Sequence, residues 1–245
     1  MNMQTAILWI SIYFAHLAAR HWIPSGWLAG KPGLVRAAGE VLAPALFAWA
    51  LAGTWMDVRI PLAAALGGVV QLALMRLMRR NQTAAGLWME AIWLVFAGLS
   101  AAVLRQADSF WLAYCGAGFY GVVTLLAGWT VSAFPAGALI GLILRRYPTS
   151  EARGFDDGGK TIGMLERSII LLLFLLNAPV GVGFLITAKT LFRFGEISKA
   201  SDQKHVEYIL IGTLLSFLLG MLIALLTLWG ADSFLPGDLL LLYPR

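Results

Sequence analysis

The chain has 245 residues, of which 60% are hydrophobic and 13% are charged, and its formal net charge is +5. A soluble domain has roughly 45–50% apolar and about 25% charged residues, so this chain carries too few polar groups to cover a water-soluble surface. The composition argues against a soluble enzyme, a disordered chain and a nucleic-acid-binding module. It predicts an all-α polytopic membrane protein whose basic excess faces the cytoplasm and anionic lipid headgroups.

Apolar stretches of about 20 residues predict membrane-spanning helices. Five windows meet this condition simply: 4–19, 37–56, 60–78, 84–104 and 206–229. Two further runs are ambiguous. Residues 109–144 form one apolar run that contains Pro135, and residues 168–188 are interrupted at Asn177, Pro179, Gly181 and Gly183. Because proline removes a helix donor and disfavours helix at the preceding residue, 168–188 is predicted to be re-entrant or broken.

The distribution of Lys and Arg favours one topology, since cytoplasmic loops carry the basic excess. If 109–144 crosses once and 168–188 re-enters, 15 basic residues lie inside and 3 outside. The other combinations place 12 and 6, 10 and 8, or 7 and 11. We therefore expect a helical bundle with six full crossings, one re-entrant or broken helix and both termini outside.

This topology has a consequence for 109–144, because 36 helical residues extend about 54 Å against a hydrocarbon core of roughly 30 Å. The segment must tilt, kink near Pro135 or project along the interface. We expect a single membrane domain over 1–245, with a four-helix half at 1–108 and a second half at 109–245.

Charged side chains inside apolar windows are candidate functional residues, because the membrane interior disfavours them. Glu90 lies about seven residues into its window, roughly 10 Å along the helix. Two interpretations remain open: Glu90 pairs with an arginine, such as Arg20 or Arg76, or it belongs to an ion or proton route. Glu40 lies in the first turn of its helix, where contact with headgroups is the favoured interpretation.

The two histidines near the end of the first helix do not predict a metal site. His16 and His21 are five residues apart, which is about 500° of helical rotation, so they do not share a ligand face. No carboxylate or cysteine accompanies them in sequence. We therefore expect no metal, no cofactor and no catalytic residue.

The densest polar grouping lies close to the predicted cytoplasmic face. It consists of Glu166, Arg167, Lys189, Arg193, Glu196, Lys204, His205 and Glu207. A solvated face that sets the topology is the favoured interpretation. An ion-pair network that locks the helices, or a site for an anionic headgroup or substrate, are the alternatives.

Three motifs in the C-terminal half carry a resemblance over about 100 residues. They are IGMLER at Ile162–Arg167, GFLITAKTLFRFGE at Gly183–Glu196 and EYILIGTLLSF at Glu207–Phe217. This block resembles an uncharacterised family of bacterial inner-membrane proteins, a domain of unknown function. The resemblance implies a bacterial inner-membrane location and supplies no activity.

The N-terminal half departs from that family, whose members typically carry a histidine followed four residues later by Asp-Phe, with further histidines in the second helix. Here His16 is followed by Arg20, and the second helix has Glu40 and no histidine. Arginine is not a metal ligand, so the resemblance implies that a metal site, if the family has one, is lost here.

Three functions are compatible with this pattern. The leading interpretation is an accessory or scaffold subunit of a membrane complex, packed against lipid, a membrane-protein partner or a second copy. The alternative is a small-solute or ion transporter or channel that uses Glu90 and the broken element 168–188. A membrane-embedded hydrolase with a degenerate metal site is the third.

Overall fold

The computed structural model describes residues 3–22, 33–54, 57–77, 82–104, 109–147, 158–197 and 203–235. Within these ranges the regular structure is entirely helical, which confirms the predicted all-α class. The helices are α1 (Met3–His21), α2 (Gly33–Ala52), α3 (Arg59–Leu77), α4 (Gln82–Val103), α5 (Phe110–Cys115), α6 (Gly118–Ala133), α7 (Pro135–Leu144), α8 (Gly158–Leu175), α9 (Val180–Ile197) and α10 (Gln203–Asp232).

Three spans in the described ranges are long and apolar enough to cross a membrane, fewer than the six predicted. They are Gly86–Val103, Gly118–Leu144 and Val206–Asp232. The apolar parts of α2 and α3, Ala37–Ala52 and Arg59–Leu74, are shorter. At 1.5 Å per residue, each of these is about 24 Å long, less than a core of roughly 30 Å.

Both ambiguous runs are interrupted in the structure. The helix that begins at Gly118 breaks at Phe134, directly before Pro135, which occupies the first position of α7. A proline is accepted at that position because its missing N–H would have no helical partner. The run 168–188 breaks between α8 and α9, where Asn177 adopts a left-handed conformation with φ of 54°. The predicted break in 168–188 is confirmed.

The chain divides into two compact units. The first comprises 1–130 and 230–236, and the second comprises 131–229 and 237–245. In the first unit, α1 packs against α2 and α4, and α2 packs against α3. Its core joins one large aromatic residue, Trp93, to small residues of all four helices, including Ala15, Ala48, Ala64 and Ala97. Small side chains let the helix backbones approach closely, as in membrane helix packing.

The polar residues that precede α3 form a local ion pair. Asp57 accepts hydrogen bonds from the backbone N–H of Arg59 at 3.0 Å and from the Arg59 guanidinium at 2.9 and 2.7 Å. The hydrogen bonds from Arg59 lower the pKa of Asp57. This exposed pair stabilises the first turn of α3, because a carboxylate favours a helix N-terminus.

Helices α2 and α3 are in close backbone contact at Gly68. A Cβ atom at this position would lie 2.9 Å from Cα of Val41 and 3.3 Å from the carbonyl oxygen of Glu40. Both are backbone atoms, so neither can yield by rotation of a side chain. The contact therefore requires glycine.

We expect Gly68→Ala to lower the free energy of unfolding by about 1–3 kcal/mol, because the added methyl group forces α2 and α3 apart. Thermal unfolding in a mild detergent measures this change. The matched control is Gly141→Ala, since a Cβ atom there meets nothing within 4 Å. Equal stability of the two variants would contradict the close approach at Gly68.

Candidate functional site

The carboxylate of Glu90 is the centre of a charged cluster in the first unit. Glu90 lies on α4, about 12 Å from the start of that helix, and the residue is 8% exposed. The end of α1 supplies three nitrogen-bearing side chains. Arg20 Nε lies 3.2 Å from Glu90 Oε1, His21 Nε2 lies 3.2 Å from the same oxygen, and His16 Nε2 lies 3.4 Å from Glu90 Oε2. A buried carboxylate is tolerated in this setting because cations and donors surround it.

The two oxygens of this carboxylate differ in how well they are satisfied. Oε1 is in hydrogen-bond contact with the His21 ring nitrogen. Glu90 Oε2 and His16 Nε2 face each other in ion-pair range, but neither atom makes a hydrogen bond within the part of the chain that the structure describes. Buried polar atoms are normally hydrogen-bonded, so this pair is unusual. The two atoms face each other at 3.4 Å and are the unsatisfied part of the cluster.

Aromatic and amide side chains fix the ring of His16. The imidazole, which belongs to a residue only 1% exposed, stacks on the Trp93 indole at a centroid distance of 4.4 Å and an interplanar angle of 15°. Trp93 in turn donates from Nε1 to Gln71 Oε1 at 2.8 Å. This chain of contacts from α3 through α4 to α1 limits the orientations of the imidazole.

Of the two partners predicted for Glu90, the structure selects Arg20. The histidines flank the carboxylate from two directions rather than sharing a helix face, and the carboxylate has one oxygen for each. Sequence reasoning considered His16 and His21 as a pair and missed that Glu90 unites them. The feature that could have revealed this grouping is the length of the first helix. Because α1 continues as a helix to His21, it carries both histidines and Arg20.

A second buried cluster lies in the second unit, around Arg167 on α8. Arg167 is 2% exposed and donates three hydrogen bonds: Nε to the Ser132 carbonyl oxygen at 2.6 Å, Nη2 to the Ala133 carbonyl oxygen at 3.1 Å and Nη1 to Ser216 Oγ at 3.1 Å. The two carbonyl groups end α6, where helical partners are lacking and a positive charge is favoured. Arg167 therefore holds the break before Pro135 and ties it to α8 and α10.

The neighbouring Glu166, which is buried, forms an ion pair with the half-buried Lys189 of α9. The Lys189 ammonium also lies 5.5 Å from the centroid of the Phe217 ring, within the range of a cation–π interaction. Each charge of this pair is compensated, so the arrangement has the character of a structural lock. The favoured interpretation, a solvated face, is wrong for Glu166 and Arg167, which are buried. The alternative, an ion-pair network, forms between Glu166 and Lys189, and Arg167 is held beside it by backbone and hydroxyl oxygens.

Residues from all three motifs meet in this second cluster. The IGMLER motif supplies Glu166 and Arg167, the next supplies Lys189, and the EYILIGTLLSF motif supplies Ser216 and Phe217. Sequence reasoning missed Ser216 and Phe217, although both lie inside a motif that it had singled out. Their spacing alone does not reveal them, because the contacts join helices far apart in the chain.

The other candidate residues lie elsewhere in the described ranges or outside the described residues. Glu40 is half-buried in α2, and Glu207 is exposed in α10. In the broken element, Asn177, Pro179 and Gly183 are exposed, and Gly181 packs close to Leu173. The side chains of Arg193, Glu196, Lys204 and His205 lie outside the described residues.

Among the residues that the structure describes, no group of three or more His, Cys, Asp or Glu side chains is arranged to hold a metal ion. At the Glu90 cluster, the Arg20 guanidinium occupies one face of the carboxylate and supplies no lone pair. The chemistry that these side chains support is proton exchange, because carboxylate and imidazole groups both bind and release protons.

Comparisons of the chain with protein-family models, with curated proteins and with solved structures find no match. The resemblance of the C-terminal block to a bacterial membrane family therefore stays a prediction.

Replacing Arg167 is expected to destabilise the protein. Arg167→Met leaves two backbone carbonyl groups and the Ser216 hydroxyl without their donor, and each unsatisfied buried group costs about 1–3 kcal/mol. We expect a loss of about 3 kcal/mol or more in thermal unfolding in detergent. Arg146→Met, at an exposed position, is the control. Equal stability of the two variants would rule out the proposed role of the Arg167 hydrogen bonds.

The Glu166–Lys189 pair is expected to show coupling in a double-mutant cycle. Glu166→Gln or Lys189→Met alone removes one charge of the pair and leaves the other without it, whereas the double variant removes both charges. We expect the double variant to lose less stability than the sum of the two single losses, with a coupling free energy of about 1–3 kcal/mol. Additive losses in thermal unfolding would show that the two charges act independently.

Proposed function

We propose that this chain is a proton-conducting membrane protein in which Glu90 takes up and releases the proton. The observation that carries the proposal is the 3.4 Å approach of Glu90 Oε2 to His16 Nε2, two buried atoms with no hydrogen-bond partner in the described ranges. Carboxylate and imidazole groups within membrane helices are typical of proton relays in pumps and transporters.

The proposed transfer runs between these two groups. The O–H bond of a protonated Glu90 breaks and an N–H bond forms at His16 Nε2, which leaves a carboxylate and an imidazolium. The reverse transfer restores the starting state. His21, in contact with Glu90 Oε1, gives the carboxylate a second imidazole with which to exchange. Its side chain is 18% exposed, so it supplies the route towards solvent.

The membrane topology belongs to the same proposal. We infer six crossings with both termini outside, in a bacterial inner membrane, and a hairpin of α8 and α9 that re-enters from the cytoplasm. The distribution of 15 basic residues inside and 3 outside supports it. The arm lengths support it too: nine residues separate Arg167 from Leu176 and Val180 from Lys189. Each arm is about 14 Å long, roughly half of the hydrocarbon core.

Proton flux into vesicles tests the proposal. The purified protein is reconstituted into vesicles that hold a pH-sensitive dye, and a potassium gradient with valinomycin drives proton entry. We expect acidification faster than in protein-free vesicles, and a rate at least about tenfold lower for Glu90→Gln, which cannot carry the proton. Glu207→Gln, at an exposed carboxylate of α10, is expected to keep the wild-type rate.

Two results would overturn proton conduction. One is a wild-type rate equal to that of protein-free vesicles. The other is an unchanged rate in Glu90→Gln. Size-exclusion chromatography in detergent shows that each variant is folded before the rates are compared.

An accessory or scaffold subunit is the second candidate, and the exposure of α9 favours it. Of its side chains from 180 to 191, only Val182 is buried, while Val180 is 76% and Phe184 is 75% exposed. Such a face packs against lipid or against another membrane helix. Purification from the native membrane in a mild detergent tests the accessory-subunit candidate. A stoichiometric protein partner supports it, and a lone chain contradicts it.

A further inference from the structure

The Glu90 carboxylate has one side towards solvent and one towards the protein interior. The Arg20 side chain, which faces Oε1, is 26% exposed, whereas the His16 side chain, which faces Oε2, is 1% exposed. A group on the solvent side can leave and return without disturbing the core. Arg20 is such a group, since it is a long flexible side chain near the end of α1.

The Arg20 guanidinium occupies space that is left open because Gly86 has no side chain. Gly86 lies four residues before Glu90 on α4 and therefore on the same face of that helix. A Cβ atom at Gly86 would lie 2.9 Å from Nη2 of Arg20. The atom that would have to move is the far end of a flexible side chain, so a larger residue at position 86 would displace the guanidinium and leave the helices in place.

Several titratable groups surround Glu90, and they differ in how they respond to pH. Helix α1 supplies Tyr13, His16, Arg20 and His21, and α3 supplies the uncharged Gln71 next to Trp93. Among these groups Arg20 keeps its charge at every physiological pH, because a guanidinium is not deprotonated in proteins. A fixed positive charge beside a carboxylate favours the ionised form over the protonated form.

We propose that Arg20 is an internal counter-ion that competes with the proton for Glu90. Gly86, which has no side chain, lets the guanidinium lie against the carboxylate. With the guanidinium against Oε1, Glu90 releases its proton. With the guanidinium turned to solvent, Glu90 retains the proton. Arg20 is thus a positioning residue that regulates the site. This inference rests on the proposed role of Glu90 in proton conduction.

Gly86→Ala tests the counter-ion, because it moves the guanidinium and keeps every ionisable side chain. Alanine is also the better helix former, so folding is not weakened by helix propensity. Gly98→Ala on the same helix is the matched control, since its nearest atom, Trp9 Nε1, would be 3.7 Å away. Arg20→Gln removes the charge outright and serves as the second variant.

The readout is the infrared C=O stretching band of protonated carboxyl groups, followed against pH in the detergent-purified protein. The part of the band that is lost in Glu90→Gln belongs to Glu90. We expect its half-maximal pH to rise by about one unit in Gly86→Ala and in Arg20→Gln, a tenfold change in proton affinity. Gly98→Ala is expected to titrate as wild type does, because its guanidinium is undisturbed.

The outcomes separate this inference from proton conduction itself. An unchanged half-maximal pH in both Gly86→Ala and Arg20→Gln overturns the counter-ion, even if wild-type vesicles conduct protons. A raised half-maximal pH in both variants supports the counter-ion, even if those vesicles show no flux and conduction fails. A shift in Arg20→Gln alone shows that Gly86 does not hold the guanidinium and overturns that part.

Discussion

A charge that is buried among apolar helices needs a partner, and this requirement shapes the centre of both units. Taking an ion from water into a medium of low polarity costs several kcal/mol unless opposite charges and hydrogen bonds replace the lost hydration. The chain meets the requirement by contacts between helices: α4 with α1 in the first unit, and α8 with α9 and α10 in the second. The same contacts that neutralise the charges fix which helices are neighbours.

The two clusters differ in how completely their buried charges are compensated. We use this difference to distinguish a structural cluster from the candidate functional site. Arg167 has an acceptor for each of its three nitrogens, and Glu166 has Lys189, so the second cluster has the character of a lock. At Glu90, Oε1 has Arg20 and His21 as partners, while Oε2 faces His16 Nε2 without a hydrogen bond. The proposed proton transfer at Glu90 rests on this difference.

Much of the fold follows from local properties of the chain. Apolar length predicted the helices, and the cyclic side chain of proline predicted the break around Asn177. For 109–144 a kink near Pro135 was one of three alternatives, and the structure has the break there. The apolar helices at α2 and α3, Ala37–Ala52 and Arg59–Leu74, are shorter than the predicted windows 37–56 and 60–78, because those windows run past the ends of the apolar helices. The closeness of α2 and α3 at Gly68 was not foreseen, since any glycine in an apolar helix looks the same in one sequence.

The sequence by itself determined the helical class, the membrane-compatible composition and the costly charge of Glu90, because a charge inside an apolar helix is improbable wherever it occurs. The burial of Glu166 and Arg167 was decided by the tertiary structure, since a solvated face was the favoured interpretation for both. Only the tertiary structure decided the partners of all three. Arg20 and Arg76 are both suitable by type, yet Arg20 pairs with Glu90. The physical reason is that an ion pair forms over a few ångströms, a distance set by the packing of α1 against α4 and by the space that Gly86 leaves for a guanidinium.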